Sequence, residues 1–303
     1  MASRIAVSVS AAEAPDDAQV WQALEVFSHV EQVCSRFRPA SALSRCNARP
    51  GIWHRAPAML RLAMEEAHRA HAETDGAFDP RVHDRLVELG YSRSFAAGPD
   101  AGPQESAAAS PAGLIGSTEP WRPRQSRRLG LVHLDGRRID LGGIGKGLAL
   151  RWAAEAMKRS ATDYLIDAGG DLVASGSPGD GGWRVGIESP DGDDGPVAVL
   201  EVHDVAVATS SVRIRCWTAG QRQVHHLIDP RTGQPGGEGL LSVTVVGSDP
   251  AWSEVWSKAL FLAGEEGIAG LAEQRKVAAL WVPTNGIPQH SRRMDPYVAW
   301  IRP

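Results

Sequence analysis

Hydrophobic and polar residues alternate along residues 4–11, which predicts a first β-strand. The apolar residues of 16–37 then recur every three or four positions, and this spacing predicts an amphipathic helix. The same spacing returns over 57–76, where Gly76 provides a C-terminal stop signal. Residues 38–51 between these two helices are polar and are predicted to form a loop.

The second half of the chain carries most of the strand pattern. Residues 131–143 predict a hairpin with Asp135 and Gly136 at its turn, and 148–160 predict a helix. Because strict alternation of strands and helices is missing, we expect an α+β fold, with a mixed or antiparallel sheet core and flanking helices. Further strands are predicted within 163–176, 183–190, 196–210, 223–230, 240–248 and 277–286, and a helix at 251–264.

Residues 94–128 are rich in Gly, Ala, Pro and Ser and show no sustained period. Such a composition predicts a long flexible loop or insertion. We expect it to interrupt one domain that spans residues 1–303.

Composition narrows the class of protein. Hydrophobic residues make up 43% of the chain and charged residues 22%, as in ordinary globular proteins. A net charge of -4 without a basic run gives no reason to expect nucleic acid as a partner. The N-terminus has no signal-peptide pattern and no apolar stretch is long enough to span a membrane. Three cysteines without a C-x-x-C spacing argue against disulfides and zinc, so a reducing, cytoplasmic location is expected.

The run "DLGGIGKG" at 140–147 is the most informative short motif. Its glycines lie between a predicted strand and a predicted helix, where backbone N–H groups can approach a phosphate and Lys146 adds a cation. It is not a P-loop, because Gly147 follows the lysine instead of Ser or Thr. The alternative interpretation is a tight turn with an exposed lysine.

Three other stretches could carry chemistry or could simply be turns. "DAGGD" at 167–171 places two carboxylates around a glycine pair, and "TDGAFDPRV" at 74–82 ends a helix. "QVHHLIDPRTGQP" at 223–235 contains two histidines, which would point to opposite faces of a strand. A histidine near a phosphate could carry a proton, although adjacent histidines are often structural.

Glu254 and Lys258 lie four residues apart in the otherwise largely apolar helix predicted at 251–264. As a plain surface pair they would contribute about 0.3–0.5 kcal/mol. Their aromatic and aliphatic neighbours make full exposure to solvent less favourable, and a buried ion pair is a weak source of stability. The alternative is that the pair faces a ligand that needs charge.

In this order, "SALSRCN", "GAFDP", "DLGGIGKG", "DAGGD", "ATSS" and "HLIDPRTGQP" resemble the ApbE-type family of FAD:protein FMN transferases. The resemblance implies an ApbE-like (T-fold-like) architecture, with FAD as donor and a Thr or Ser of a target protein as acceptor of FMN. AMP is the second product. Two alternatives are a protein that holds FAD or FMN without catalysis, and an FAD pyrophosphatase that produces FMN and AMP.

The resemblance also implies which residues form the site. The catalytic residues would be His226, Asp229 and Lys146. The residues that bind the flavin nucleotide would be Asn47, Ala77, Phe78, Asp79, Asp140, Gly143, Gly145, Lys146, Asp167, Gly169, Gly170, Asp171, Thr209, Ser210 and His226. Lys258, which departs from the family pattern, is added to this set as a hypothesis.

The metal position of the family is where this chain departs from the pattern. Members of the family bind Mg²⁺ through a carbonyl oxygen, which here would come from Gly145, and through an Asp and a Thr on the late helix. Those two positions are Glu254 and Lys258 in this chain. Glutamate still offers oxygen to a hard cation, whereas an ammonium group only donates hydrogen bonds and repels a divalent ion. We therefore expect an absent or altered Mg²⁺ site, with Lys258 in the place of the ion.

Overall fold

A computed structural model describes residues 4–10, 17–93, 120–190, 192, 195–213 and 215–303. The chain divides into two compact units. Unit 1 is built mainly from residues 28–145 and 215–235, and unit 2 from 3–27, 146–214 and 236–303. The expectation of a single domain stays a prediction beside this division. Most of the predicted insertion, 94–119, lies outside the described residues.

The helices are α1 (Asp17–Cys34), α2 (Ala42–Ala48), α3 (Ala58–Glu73), α4 (His83–Glu88), α5 (Gly145–Met157), α6 (Pro250–Leu262) and α7 (Gly264–Arg275). The strands are β1 (Ile5–Val9), β2 (His54–Arg55), β3 (Arg124–Ser126), β4 (Leu131–His133), β5 (Tyr164–Ala168), β6 (Leu172–Ser175), β7 (Trp183–Glu188), β8 (Pro196–Val202), β9 (Ala206–Ser211), β10 (Cys216–Ala219), β11 (Arg222–His225), β12 (Ile228–Asp229), β13 (Gln234–Pro235), β14 (Leu240–Gly247), β15 (Ala278–Pro283), β16 (Gln289–His290) and β17 (Val298–Ile301).

Unit 2 is organised around a seven-stranded sheet in the order β1-β5-β6-β9-β14-β15-β16. Each neighbouring pair in this sheet is antiparallel, which confirms the antiparallel option predicted from the sequence. A second sheet, β17-β8-β7, contributes Leu200 and Val202 to a core that also contains Leu172 and Leu280 of the large sheet. Helix α6 packs on β9 and β14, the two strands that carry the polar residues of the candidate site.

Unit 1 combines helices α2, α3 and α4 with the three-stranded sheet β2-β4-β3 and the hairpin β10-β11. A small core joins the end of α4 to the hairpin and contains Leu86, Leu89, Tyr91 and Val224. None of the helices in the described part of the chain combines the length and hydropathy that spanning a bilayer requires.

The predicted loop at 38–51 is wrong, because it contains helix α2. Ser41 caps this helix by accepting a hydrogen bond from the Ser44 backbone N–H at 2.9 Å. Leu43 and Cys46 are buried on its inner face. Capping and burial together stabilise a short helix in a stretch whose overall polarity favours a loop.

The predicted hairpin at 131–143 is also wrong, although its turn is correct. Asp135 and Gly136 have positive φ angles of 61° and 80°, as a tight turn with this dipeptide requires. The chain after the turn does not pair with β4, whose partners are β2 and β3. The backbone of this segment forms hydrogen bonds outside the sheet instead, since the Asp140 N–H donates to the Pro80 carbonyl oxygen at 2.7 Å.

Three further boundaries differ from the sequence prediction. Strand β11 ends at His225, so the alternation that would place the two histidines on opposite faces does not extend to His226. Helix α5 begins at Gly145, within the glycine-rich run rather than after it. The last part of the predicted insertion contains β3, which pairs with β4.

Candidate functional site

The site residues of unit 2 begin at the turn between β5 and β6. Gly169 and Gly170 both have positive φ angles, 71° and 92°, so this glycine pair forms the tight turn that an antiparallel hairpin favours. Asp167 accepts a hydrogen bond from the Gly170 N–H at 2.8 Å. The turn delivers Asp171 to the start of β6, and the Asp171 side chain is almost completely buried.

Asp171 is the acceptor of two hydrogen bonds that join three elements. Its Oδ2 forms a close ion pair with Lys146 Nζ in the first turn of α5, and its Oδ1 accepts from the Thr209 N–H of β9 at 3.0 Å. A buried carboxylate needs such partners because removing it from water is unfavourable. The arrangement fixes the lysine of the glycine-rich run beside the large sheet, so Lys146 is not simply an exposed side chain.

Glu254 on α6 is the second buried carboxylate of unit 2, with only 1% of its side chain exposed. Its Oε2 accepts a hydrogen bond from the Gly147 backbone N–H at 2.8 Å, and its Oε1 accepts from Lys258 Nζ at 3.2 Å. The N-terminus of a helix has N–H groups without partners in the helix, which carboxylates satisfy well. Glu254 therefore holds the start of α5 against α6.

Lys258 lies in the same cluster and has 16% of its side chain exposed. Its ammonium group also donates to the Glu254 carbonyl oxygen at 3.2 Å. Burial lowers the pKa of Lys258, and the negative charges of Glu254 and Asp171 oppose this shift. We call Lys146, Asp171, Glu254 and Lys258 the charge cluster. It contains two positive and two negative side chains.

The donor set of the charge cluster does not fit the Mg²⁺ site that the resemblance implies. Both carboxylate oxygens of Glu254 already accept hydrogen bonds, one from a backbone N–H and one from an ammonium group. Lys258 offers no lone pair to a metal while it is charged. Across the described residues, no group of three or more His, Cys, Asp or Glu side chains could hold a metal ion.

Thr209 and Ser210 are consecutive residues of β9, and their contact with a ligand stays a prediction. The Thr209 hydroxyl is hydrogen-bonded to the Thr244 hydroxyl at 2.9 Å, and the Ser210 hydroxyl to that of Ser257 at 2.8 Å. Ser257 lies on α6 between Glu254 and Lys258. The two hydroxyl groups thus connect β9 to β14 and to α6, the helix that carries Glu254 and Lys258.

In unit 1, the turn after α3 contains Ala77, Phe78 and Asp79. Thr74 supports it, because its hydroxyl donates to the Ala70 carbonyl oxygen at 2.7 Å and accepts from the Phe78 N–H at 2.9 Å. The Phe78 side chain is buried. A ligand that meets this turn would therefore meet its backbone rather than the phenyl ring.

His71 is a support of this turn that the sequence analysis missed. Its Nδ1 is 3.1 Å from the Phe78 carbonyl oxygen, which requires a donor, and its Nε2 is 3.2 Å from the Trp121 N–H, which requires an acceptor. These two contacts define a neutral ring with the proton on Nδ1. Burial lowers the pKa of His71, which agrees with this neutral form although Asp79 lies 3.6 Å away.

Two Asp-Pro-Arg turns in unit 1 have the same internal geometry. In the first, Arg81 Nη2 donates to Asp79 Oδ2 at 2.6 Å, and the Arg81 N–H donates to Asp79 Oδ1 at 2.8 Å. In the second, Arg231 makes the corresponding contacts with Asp229 at 2.8 Å and 2.9 Å. Each carboxylate is engaged by the arginine two residues later, so Asp79 and Asp229 primarily fix their turns. The repeated D-P-R tripeptide was the signal available in the sequence.

Asn47 and Asp140 are also engaged within unit 1. The Asn47 amide donates to the Ile139 carbonyl oxygen at 2.8 Å and accepts from the Ile139 N–H at 3.0 Å, so it acts as a clamp on the backbone. Asp140 accepts from Arg36 Nε at 2.7 Å and from the Gly142 N–H at 2.6 Å. Both residues orient the segment that leads through Gly143 into α5.

His226 follows β11 and is half-buried, and its backbone N–H donates to the Arg215 carbonyl oxygen at 3.3 Å. Its neighbour His225 ends the strand and accepts from the Leu227 N–H through Nδ1 at 3.3 Å. Burial lowers the pKa of His225 to about 4, which makes it a poor proton carrier near neutral pH. Of the two histidines, His226 is therefore the one retained as a proton-transfer candidate.

Comparisons with known proteins agree with this architecture. The ApbE family model matches residues 1–281. The FAD:protein FMN transferase of Escherichia coli (strain K12) is 27% identical over 293 residues, which cover 90% of this chain and 76% of that protein. A protein of the same name from Klebsiella pneumoniae (strain 342) is 29% identical over 151 residues, which cover 49% of this chain and 43% of the relative.

Among solved structures, the ApbE protein from Thermotoga maritima superposes on the chain with a TM-score of 0.83 at 24% sequence identity. The superposition covers 97% of this chain and 96% of that protein. It confirms the α+β architecture of ApbE type that the sequence predicted.

Proposed function

The chain belongs to the ApbE family, and we propose that it is an FAD:protein FMN transferase that moves the FMN part of FAD to a hydroxyl group of a target flavoprotein. The observation that carries this conclusion is the family match over residues 1–281, joined to relatives named for this reaction. The named relatives are enzymes. The buried charge cluster of unit 2 also favours an enzyme, because such clusters are common at catalytic sites.

The reaction exchanges one bond to phosphorus for another. The hydroxyl oxygen of a Thr or Ser in the acceptor attacks the phosphorus of the FMN half of FAD. The bond between that phosphorus and the bridging oxygen breaks, and AMP leaves with the oxygen and its electron pair. The hydroxyl proton passes to a base, and FMN remains attached through a phosphoester. Catalysis of such a transfer rests mainly on positioning and on stabilisation of negative charge.

Stabilisation of that charge is the role we assign to unit 2. Lys146 lies in the first turn of α5, where the helix dipole also favours an anion. Asp171 orients Lys146 through their ion pair and is itself fixed by the Thr209 N–H. In this proposal, Lys146 offsets the charge of the pyrophosphate while Asp171 keeps the ammonium group in place.

Binding of the flavin and transfer of the proton are the roles we assign to unit 1. The backbone of 76–79, which His71 and Thr74 hold in shape, meets the flavin part of FAD. His226 accepts the proton of the acceptor hydroxyl. Asp229 supports this histidine indirectly, because its carboxylate fixes the turn that follows.

Covalent transfer to an acceptor is the direct test. The chain is incubated with FAD and a flavoprotein domain that has an exposed Thr or Ser, and flavin fluorescence is then recorded in a denaturing gel. We expect a fluorescent acceptor band, which His226→Ala weakens strongly and which Cys216→Ser, a change on an exposed residue, leaves intact. Release of AMP without a fluorescent band would instead indicate hydrolysis of FAD and would refute the transferase proposal.

The partners and the location follow from the same proposal. A flavoprotein that carries the acceptor hydroxyl is the macromolecular partner, and FAD is the donor substrate. We also propose a reducing, cytoplasmic environment, because Cys34 and Cys46 are buried free thiols.

A further inference from the structure

We propose, on the basis of the function above, that the ammonium group of Lys258 is a permanent replacement for a divalent metal ion and that this chain transfers FMN without Mg²⁺. The positive charge at this position would then come from a side chain of the protein, and not from a metal ion bound from solution. Three observations in unit 2 support this inference.

The first observation is that both carboxylate oxygens of Glu254 already accept a hydrogen bond inside the protein. Its Oε2 accepts from the Gly147 N–H and its Oε1 from Lys258 Nζ. A divalent ion would have to displace the ammonium group from a carboxylate that is 1% exposed. Displacement would leave the Lys258 charge in a largely buried place without its main partner, which is strongly unfavourable.

The second observation is that Lys258 is held in a defined position. Its ammonium group donates to two oxygens of Glu254, one of the side chain and one of the main chain, each at 3.2 Å. The same main-chain oxygen accepts from the Ser257 hydroxyl at 2.9 Å, and Ser257 is bonded in turn to Ser210 of β9. Lys258 is therefore held at two points on α6, and its neighbour Ser257 connects that part of the helix to β9.

The third observation is the charge balance of the cluster. Asp171 and Glu254 carry two negative charges, and Lys146 and Lys258 carry two positive charges. A Mg²⁺ ion added to this balanced cluster would raise its net charge and would repel both ammonium groups. An alternative with no role in transfer is an ion pair that only stabilises the fold, but buried pairs contribute little net stability.

The test uses the wild-type chain and three variants. Lys258→Thr removes the ammonium group, and Glu254→Asp combined with Lys258→Thr installs a carboxylate and a hydroxyl that suit a hard cation. The control is Lys158→Thr, which removes a lysine from an exposed i,i+3 pair with Glu155 at 2.6 Å. Proteins are treated with EDTA and dialysed, and AMP release from FAD in the presence of acceptor is measured with and without Mg²⁺.

We expect wild type and Lys158→Thr to release AMP at the same rate in EDTA and in Mg²⁺. Lys258→Thr should be slower in EDTA by about 10²-fold, the effect of removing one preorganised charge-stabilising donor. The double variant should recover when Mg²⁺ is added, because the ion can then occupy the position of the ammonium group. Loss of wild-type activity in EDTA with recovery in Mg²⁺, or an unchanged rate in Lys258→Thr, would overturn the proposal.

A second readout does not depend on activity. Mg²⁺ is titrated calorimetrically into the metal-free wild type, alone and with FAD bound, and into the double variant. The proposal predicts saturable binding in the double variant and none in the wild type; stoichiometric binding by the wild type would refute it. If no protein releases AMP, the proposed function fails and this titration alone decides the metal question. If a variant does not fold, the wild-type titration and the EDTA experiment decide it.

Discussion

A methyl group at Gly147 should destabilise the protein, whereas one at Gly145 should not. Both glycines lie in the first turn of α5, and neither has a positive φ angle. A Cβ atom on Gly147 would lie 2.5 Å from Cα and 2.7 Å from N of Ala251, and it would also meet the Pro250 carbonyl oxygen. Apart from its chain neighbours and the backbone of its own helix, a Cβ atom on Gly145 would meet nothing within 4 Å.

The magnitude follows from two opposing contributions. Overpacking lowers the free energy of unfolding by about 1–3 kcal/mol, and here the contact is with backbone that cannot rotate away. Alanine returns at most about 1 kcal/mol through its higher helix propensity. We therefore expect Gly147→Ala to lose up to about 3 kcal/mol and Gly145→Ala to gain between zero and about 1 kcal/mol.

Urea unfolding followed by tryptophan fluorescence measures this difference between the two variants. Hydrogen exchange provides a local readout, because displacement of α5 from α6 would lengthen the bond between the residue 147 amide and Glu254, which is 2.8 Å in the wild type. Faster exchange at that amide should accompany the lower midpoint of Gly147→Ala. A midpoint for Gly147→Ala at or above that of Gly145→Ala would refute the close packing of the two helices.

Three further outcomes are expected. His71→Leu leaves the Phe78 carbonyl oxygen without its donor, so the free energy of unfolding should fall by about 1–3 kcal/mol. Thermal melts measure this loss, and an unchanged melting curve would contradict it. Because the pKa of His225 is about 4 in the folded chain and 6.5 for a histidine exposed to water, the unfolded chain binds more protons between these values. The free energy of unfolding should thus fall as the pH drops from 6.5 to 4. His225→Gln should reduce this dependence on pH, and equal dependence in wild type and variant would exclude a buried neutral ring at His225. A double-mutant cycle of Ser210→Ala and Ser257→Ala should give a coupling of about 0.5–1.5 kcal/mol in urea unfolding, and strict additivity would argue against their bond.

The large sheet could be predicted because its signals are local. Short, largely apolar runs mark β14 and β15, and the pair Gly169-Gly170 marks the turn between β5 and β6. Short elements were harder to predict: α2 depends on a cap at Ser41 and on burial, while the overall polarity of its sequence favours a loop.

The partners of the site residues could not be predicted, because they lie far apart in the chain. Asn47 bonds a residue 92 positions later, Arg36 one that is 104 later, and the Gly147 amide one that is 107 later. The motifs predict candidate site residues, whose roles stay predictions, but a pattern of spacing has no information on such distant contacts. The D-P-R turns are the exception, since Asp79 and Asp229 each bond a residue two positions away.

Mass spectrometry of the acceptor, combined with quantification of AMP, tests transfer of FMN most directly. Wild-type chain, FAD and an acceptor domain are incubated, and both products are measured over time. We predict a mass increase equal to FMN minus water at one Thr or Ser, with one AMP released for each acceptor modified. An unmodified acceptor mass while FAD is consumed, or AMP formed in excess of modified acceptor, would contradict it.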